Sequence, residues 1–161
     1  TALVDGPTGR SLTYAEFEDA VRRTAASLAA RGFKKGDVFA IFSTNCVEYA
    51  IAFHAVAILG GINTTLNPLY MAEEAAFQLR DAGAKFLVTA PLCIEKAKVA
   101  AEQANIEELF VFGEAEGATP FASLLESNGE VPHVEINAKE DLVALPYSSG
   151  TTGLPKGVML T

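Results

Sequence analysis

Five apolar residues in succession, Val38-Phe39-Ala40-Ile41-Phe42, leave their segment no polar face to turn toward water. A strand of this kind is buried on both sides, the condition of a parallel sheet covered by helices on each face. Lys85-Phe86-Leu87-Val88-Thr89 and Glu108-Leu109-Phe110-Val111-Phe112 read as further strands, and Ile62-Asn63-Thr64-Thr65-Leu66 as a shorter one. Segments of helical periodicity separate them. Alternating strands and helices imply βαβ units, so the expected fold class is α/β with a largely parallel sheet flanked by helices.

The helices carry their own boundary signals. Thr13 and Glu16 have capping-box spacing, in which the threonine oxygen accepts an N–H and the glutamate reaches back. Tyr14, Phe17, Val21 and Leu28 then recur at helical intervals as a core stripe, and Gly32 fits the position just past the helix end. Asn45 and Glu48 repeat the capping spacing before a helix to about Leu59 that is apolar almost all round and is expected at the centre of the molecule. Further helices are expected from about Ala72 to Asp81, stopped by Gly83, and from Pro91 to about Gln103. Two short strands should flank the turn Gly6-Pro7-Thr8-Gly9. Thr119 is placed to cap a short helix through Leu125, and residues 127–141 read as a polar surface crossing before Leu142-Val143-Ala144-Leu145-Pro146-Tyr147 turns inward as a strand.

Composition narrows the function. A net charge of -8 argues against nucleic acid, because non-specific phosphate binding needs lysine and arginine in excess. No apolar run reaches membrane-spanning length; Ala50 to Leu59 is too short and contains His54. Cys46 and Cys93 lie in different expected helices without metal-ligand spacing, so reduced thiols are expected. The content of 50% hydrophobic and 20% charged residues is at the apolar edge for a single domain, which suggests apolar surface that packs against further protein. Thr1 in place of an initiator methionine, and a C-terminal Gly157-Val158-Met159-Leu160-Thr161 that reads as an element just begun, add to the expectation of a larger enzyme.

Behind the last apolar run comes Tyr147-Ser148-Ser149-Gly150-Thr151-Thr152-Gly153-Leu154-Pro155-Lys156-Gly157. Glycines let backbone N–H groups approach an anion, hydroxyls donate more hydrogen bonds, and a lysine adds a mobile charge, a mixture that suits a polyphosphate. An ordinary turn needs two such residues and explains neither the paired hydroxyls nor Lys156. The order differs from the common triphosphate P-loop, and there is no GxGxxG.

The run closely resembles the signature loop of the AMP-forming acyl-CoA synthetase family, which also includes peptide-synthetase adenylation domains and firefly-type luciferases. With Val158-Met159-Leu160-Thr161 added, it is most similar to the 4-coumarate–CoA ligase branch. A looser likeness runs upstream through Leu12-Thr13-Tyr14, Gly36-Asp37, Gly60-Gly61, Asn67-Pro68 and Ala82-Gly83-Ala84, with one departure at Met71, where relatives often carry a Ser or Thr that caps the next helix. The resemblance implies that residues 1–161 are the N-terminal part of the large ATP-binding domain, ending just after the phosphate-binding loop, with the rest of the enzyme absent. It also implies two half-reactions. A carboxylic acid attacks ATP to give acyl-AMP and pyrophosphate, and the thiol of CoA then takes the acyl group. On this reading Ser148, Ser149, Thr151 and Thr152 donate to phosphate, Gly150 and Gly153 allow close backbone approach, and Lys156 supplies charge. Lys156, Thr151 and Thr152 are the candidate catalytic residues; Mg2+ bridges phosphate oxygens without a protein ligand in this segment, and CoA binds outside it. The compartment is left as cytoplasmic or peroxisomal.

The remaining polar residues read as structural. His54 is expected to be a satisfied core histidine and His133 a surface one. Glu73 with Glu74, and Glu107 with Glu108, are adjacent acids that point in different directions, so paired-carboxylate chemistry is not expected. Asp37 should bond within its turn. Two rivals share the loop: a luciferase-like oxidoreductase acting on the same acyl-adenylate, and a non-catalytic nucleotide binder.

Overall fold

A computed structural model describes residues 1–148 and 155–161. The chain opens with an antiparallel pair, β1 (Leu3–Val4) and β2 (Ser11–Leu12), then α1 (Tyr14–Ala30). The capping box forms as expected: Thr13 N donates to Glu16 Oε2 at 2.8 Å and Glu16 N to Thr13 Oγ1 at 3.3 Å. Gly32 follows the C-cap with φ +86°, a conformation open to glycine at little cost. Thereafter strands and helices alternate as β3 (Val38–Phe42), α2 (Val47–Ile58), β4 (Ile62–Leu66), α3 (Ala72–Ala82), β5 (Ala84–Thr89), α4 (Ile94–Ala104) and β6 (Glu108–Val111).

These strands and β7 (Thr119–Pro120) build a five-stranded sheet in the order β4-β3-β5-β6-β7, every neighbour parallel. β3 lies inside it, which is why its five residues are all buried. Side chains alternate between faces along a strand, and the core divides accordingly. Phe39 and Ile41, with Phe86, Val88 and Phe110, pack against α1 and α2. Val38, Ala40 and Phe42, with Leu87, pack against alanine-rich faces of α3 and α4. Asp37 accepts from Lys34 N at 3.0 Å, as its turn position suggested, and also pairs with Lys85 Nζ at 2.9 Å, tying the entry of β3 to that of β5.

Several expectations need correction. Asn45 does not cap α2; Cys46 occupies the cap position without a side-chain hydrogen bond. Among the described residues that helix buries one face only, and His54 is exposed rather than core. The imidazole stays satisfied by Ala50 O at 2.8 Å and packs edge-on against Phe17 and Phe53. Tyr14, at the first turn of α1, is 74% exposed, so the core stripe begins at Phe17. Thr119 caps nothing: it lies in β7 and its hydroxyl donates to Glu108 Oε1 at 3.1 Å, while Pro120 precedes the 3-10 helix Phe121–Glu126. The helix expected from Pro91 begins as a 3-10 turn, Pro91–Cys93, before α4.

The inward strand at 142–147 is the largest difference. Among the described residues it is a half-buried ribbon laid on the free edge of β4 rather than a buried strand. Asn63 N donates to Val143 O at 3.0 Å and Leu145 N to Asn63 O at 2.7 Å, and the bridge between Asn63 and Ala144 is parallel. The ribbon then pairs antiparallel with the chain's end through β8 (Tyr147–Ser148) and β9 (Lys156–Gly157).

Candidate functional site

Three polar residues in succession in β4 explain why the ribbon seats where it does. Asn63 and Thr64 are fully buried although the strand lies at the edge of the sheet. Thr64 Oγ1 donates to Leu145 O at 2.8 Å and accepts from Gln78 Nε2 at 2.9 Å; that amide also donates to Thr65 O at 3.1 Å. Asn63 Nδ2 donates to Phe53 O at 3.1 Å. A buried donor costs free energy if unpaired, and the Asn63, Thr64 and Gln78 donors of this network are paired when residues 143–145 hold this register, although Asn63 Oδ1 and Gln78 Oε1 stay without a partner among the described residues. Sequence reading took Asn63-Thr64-Thr65 as ordinary strand and missed it; the signal was a run of polar side chains where a parallel strand should be apolar.

Because the ribbon runs parallel to β4, it carries the chain toward the strand's C-terminal end, the end at which open α/β sheets bind ligands. Pro155 confirms the direction, since it lines a cavity of about 300 Å³ with Tyr70, Glu73, Glu74, Phe77 and Gln78 at the β4–α3 connection. A separate open cavity of about 460 Å³ lies beyond the ends of β3 and β5 and includes Ser43, Thr44, Pro91 and Phe112; of the predicted site residues that are described, neither Ser148 nor Lys156 lines it.

Of those residues, Ser148 and Lys156 are brought together as register partners on β8 and β9, both exposed. Ser148 Oγ donates to Lys156 O at 3.5 Å, which leaves the ammonium free of that contact. Ser149, Gly150, Thr151, Thr152 and Gly153 lie outside the described residues. Tyr147 and Gly157 flank the pair. A Cβ on Gly157 would sit 3.1 Å from Leu145 Cδ1 and 3.3 Å from two atoms of the Tyr147 ring, so the missing side chain is what lets the ring lie across β9. Burial raises the Tyr147 phenol above its ordinary value, and its hydrogen bond to Asp81 adds to the shift. Among the described residues no group of three or more His, Cys, Asp or Glu is placed to hold a metal ion, and no helix is long and apolar enough to cross a membrane.

The AMP-binding enzyme family matches residues 1–161, and the chain belongs to it. The chain is 44% identical over 159 residues to 4-coumarate–CoA ligase 3 of Oryza sativa subsp. japonica, covering 99% of this chain and 28% of that protein. It superposes on a long-chain-fatty-acid–CoA ligase from Archaeoglobus fulgidus with a TM-score of 0.85 at 27% identity, covering 99% of this chain and 33% of that one. The anthranilate–CoA ligase solved with anthranoyl-AMP shares the fold, with a TM-score of 0.86 at 24% identity, covering 94% of this chain and 30% of that one. This chain therefore spans less than a third of the length of the curated relative it matches.

Proposed function

We propose that residues 1–161 form the N-terminal part of the ATP-binding domain of an AMP-forming carboxylic acid–CoA ligase, and that the hairpin holds the β- and γ-phosphates of ATP. The pairing of Ser148 with Lys156 at the mouth of a hydroxyl- and glycine-rich loop carries the reading. It gathers a donor and a cation at the exposed end of the ribbon, and the hydrogen bonds of Thr64 with Leu145 and Gln78 hold the ribbon a few residues before it.

The chemistry asked of these residues is positioning and charge. Lys156 offsets negative charge as pyrophosphate departs, Ser148 donates to a phosphate oxygen, and a fixed ribbon holds both in place before reaction. Ser149, Thr151 and Thr152 are assigned as further donors, and Gly150 and Gly153 as close-approach positions, on the motif alone. With no cluster of metal-ligating side chains among the described residues, a magnesium ion would be held mainly by the nucleotide and water and would supply charge neutralisation there. The acid would be activated as its acyl-adenylate and passed to CoA; on this reading the acid and CoA pockets lie in the other part of the protein, and residues 1–161 alone give no turnover.

The test is ATP–pyrophosphate exchange by the full-length protein over a panel of aryl and fatty acids, followed by thioester formation with CoA. Exchange that depends on one class of acid supports the reading. ATP binding without exchange for any acid favours the non-catalytic relative, and oxygen-dependent light without thioester favours the oxidoreductase.

A further inference from the structure

Asp81 sits where an acid is unwelcome. It is the penultimate residue of α3, at the end of the helix where the exposed carbonyls make the local potential negative. Among the described residues it has no ion-pair partner to offset this. Its contact is with Tyr147, whose hydroxyl donates to Asp81 Oδ2 at 2.5 Å across 66 residues of sequence. A charge-assisted O–H···O bond is short and directional.

Tyr147 is held at two further points. Its backbone pairs with Gly157 in the ribbon, and its ring lies over that glycine. The next residue is Ser148 and the next register pair is Ser148 with Lys156. A tether on the phenol therefore sets the height and twist of the ribbon one residue before the phosphate-facing groups. The buried network of Thr64 and Gln78 fixes Leu145 but reaches no further. Beyond it, Asp81 supplies the contact from α3.

We propose that Asp81, acting through the Tyr147 hydroxyl, is a positioning residue that aligns Ser148 and Lys156 for the phosphates of ATP. The proposal rests on the phosphate-binding reading of the hairpin. Asp81 is exposed, and an exposed hydrogen bond adds little to global stability, so its loss should register in nucleotide handling rather than in unfolding.

The test uses full-length protein and measures ATP–pyrophosphate exchange, equilibrium ATP binding and thermal unfolding for Asp81→Ala, Asp81→Asn, Tyr147→Phe and the Asp81→Ala/Tyr147→Phe double variant. Each of Asp81→Ala and Tyr147→Phe is expected to raise the KM and Kd for ATP about tenfold without lowering Tm. The double variant should be no worse than either single one, because both remove the same bond. Asp81→Asn keeps a carbonyl acceptor and should stay within about twofold of the parent. Active parent protein with unchanged Asp81→Ala and Tyr147→Phe, additive losses in the double variant, or losses that track Tm would each overturn the proposal while leaving the ligase reading intact. A parent that binds ATP but exchanges with no acid defeats the ligase reading alone, and the Kd ratios still decide the role of Asp81. A parent that does not bind ATP overturns both.

Discussion

At the scale of single residues, side-chain volume and charge act in places the sequence marks unevenly. Gly61 enters β4 beside Phe33 and Val56; a Cβ there would fall inside van der Waals contact of Phe33 Cε1 and lie 2.8 Å from Phe33 Cζ and 2.9 Å from Val56 Cγ1. Gly61→Ala is therefore expected to destabilise by about 1–3 kcal/mol through overpacking, read as a lower denaturant midpoint at constant slope. Lys156 is different, since it is exposed and touches no core. Lys156→Ala should leave the midpoint unchanged and slow adenylation by about one to two orders of magnitude in stopped-flow measurements on the full-length protein, if its charge contact forms mainly in the transition state. Unchanged adenylation would remove Lys156 from the mechanism. As a candidate, Lys156 was legible from its motif. Gly61 was not, because nothing in a linear sequence says that a phenyl ring will pack against it.

Secondary-structure elements show where local signals decide and where they are overridden. The Thr13–Glu16 box formed as read because both partners are local and exposed. Its hydrogen bonds from Thr13 hold the Glu16 carboxyl below its ordinary value of 4.5. The folded state thus binds this proton less tightly than the unfolded chain, so the contribution is complete above about pH 4.5 and is lost as pH falls through the folded value. Glu16→Gln should flatten the decline in stability between about pH 5 and about pH 3, measured by urea unfolding at each pH. The same spacing at Asn45 failed: β3 ends at Phe42, residues 43–45 bridge to α2, and Cys46 takes the cap position. At α3 the cap position is Met71, 61% exposed, with only the return bond from its own N–H to Glu74 Oε2 at 2.8 Å. Met71→Ser should supply the missing acceptor and stabilise by about 0.5–1 kcal/mol, checked by the thermal midpoint; no gain would mean that the first turn is already satisfied by solvent.

For the whole molecule, one sheet serves two cores, and its strands carry side chains into both. Phe39, Phe86 and Phe110 form a contiguous aromatic group, with ring centroids 5.9 Å apart for Phe86 and Phe110 and 6.3 Å for Phe39 and Phe110. Phe110→Ala should cost about 3–5 kcal/mol and lower the midpoints seen by circular dichroism and tyrosine fluorescence together, because unfolding one face removes the backing of the other. Midpoints that separate would show that the two layers unfold independently.

Residues 38–42 by themselves required a strand buried on both faces, and the alternation around them required a parallel α/β sheet; periodicity and capping are local, so they survive reading in one dimension. The hydroxyl- and glycine-rich run likewise carried, through its composition, the phosphate-site reading proposed above. The ordering of strands as β4-β3-β5-β6-β7, the short β7 at Thr119, and the half-buried ribbon in place of an inward strand depended on pairings between distant segments. The contact of Tyr147 with Asp81 arose in the same way. Such contacts depend on which distant segments meet and pair, a condition that exists only once the chain has closed on itself.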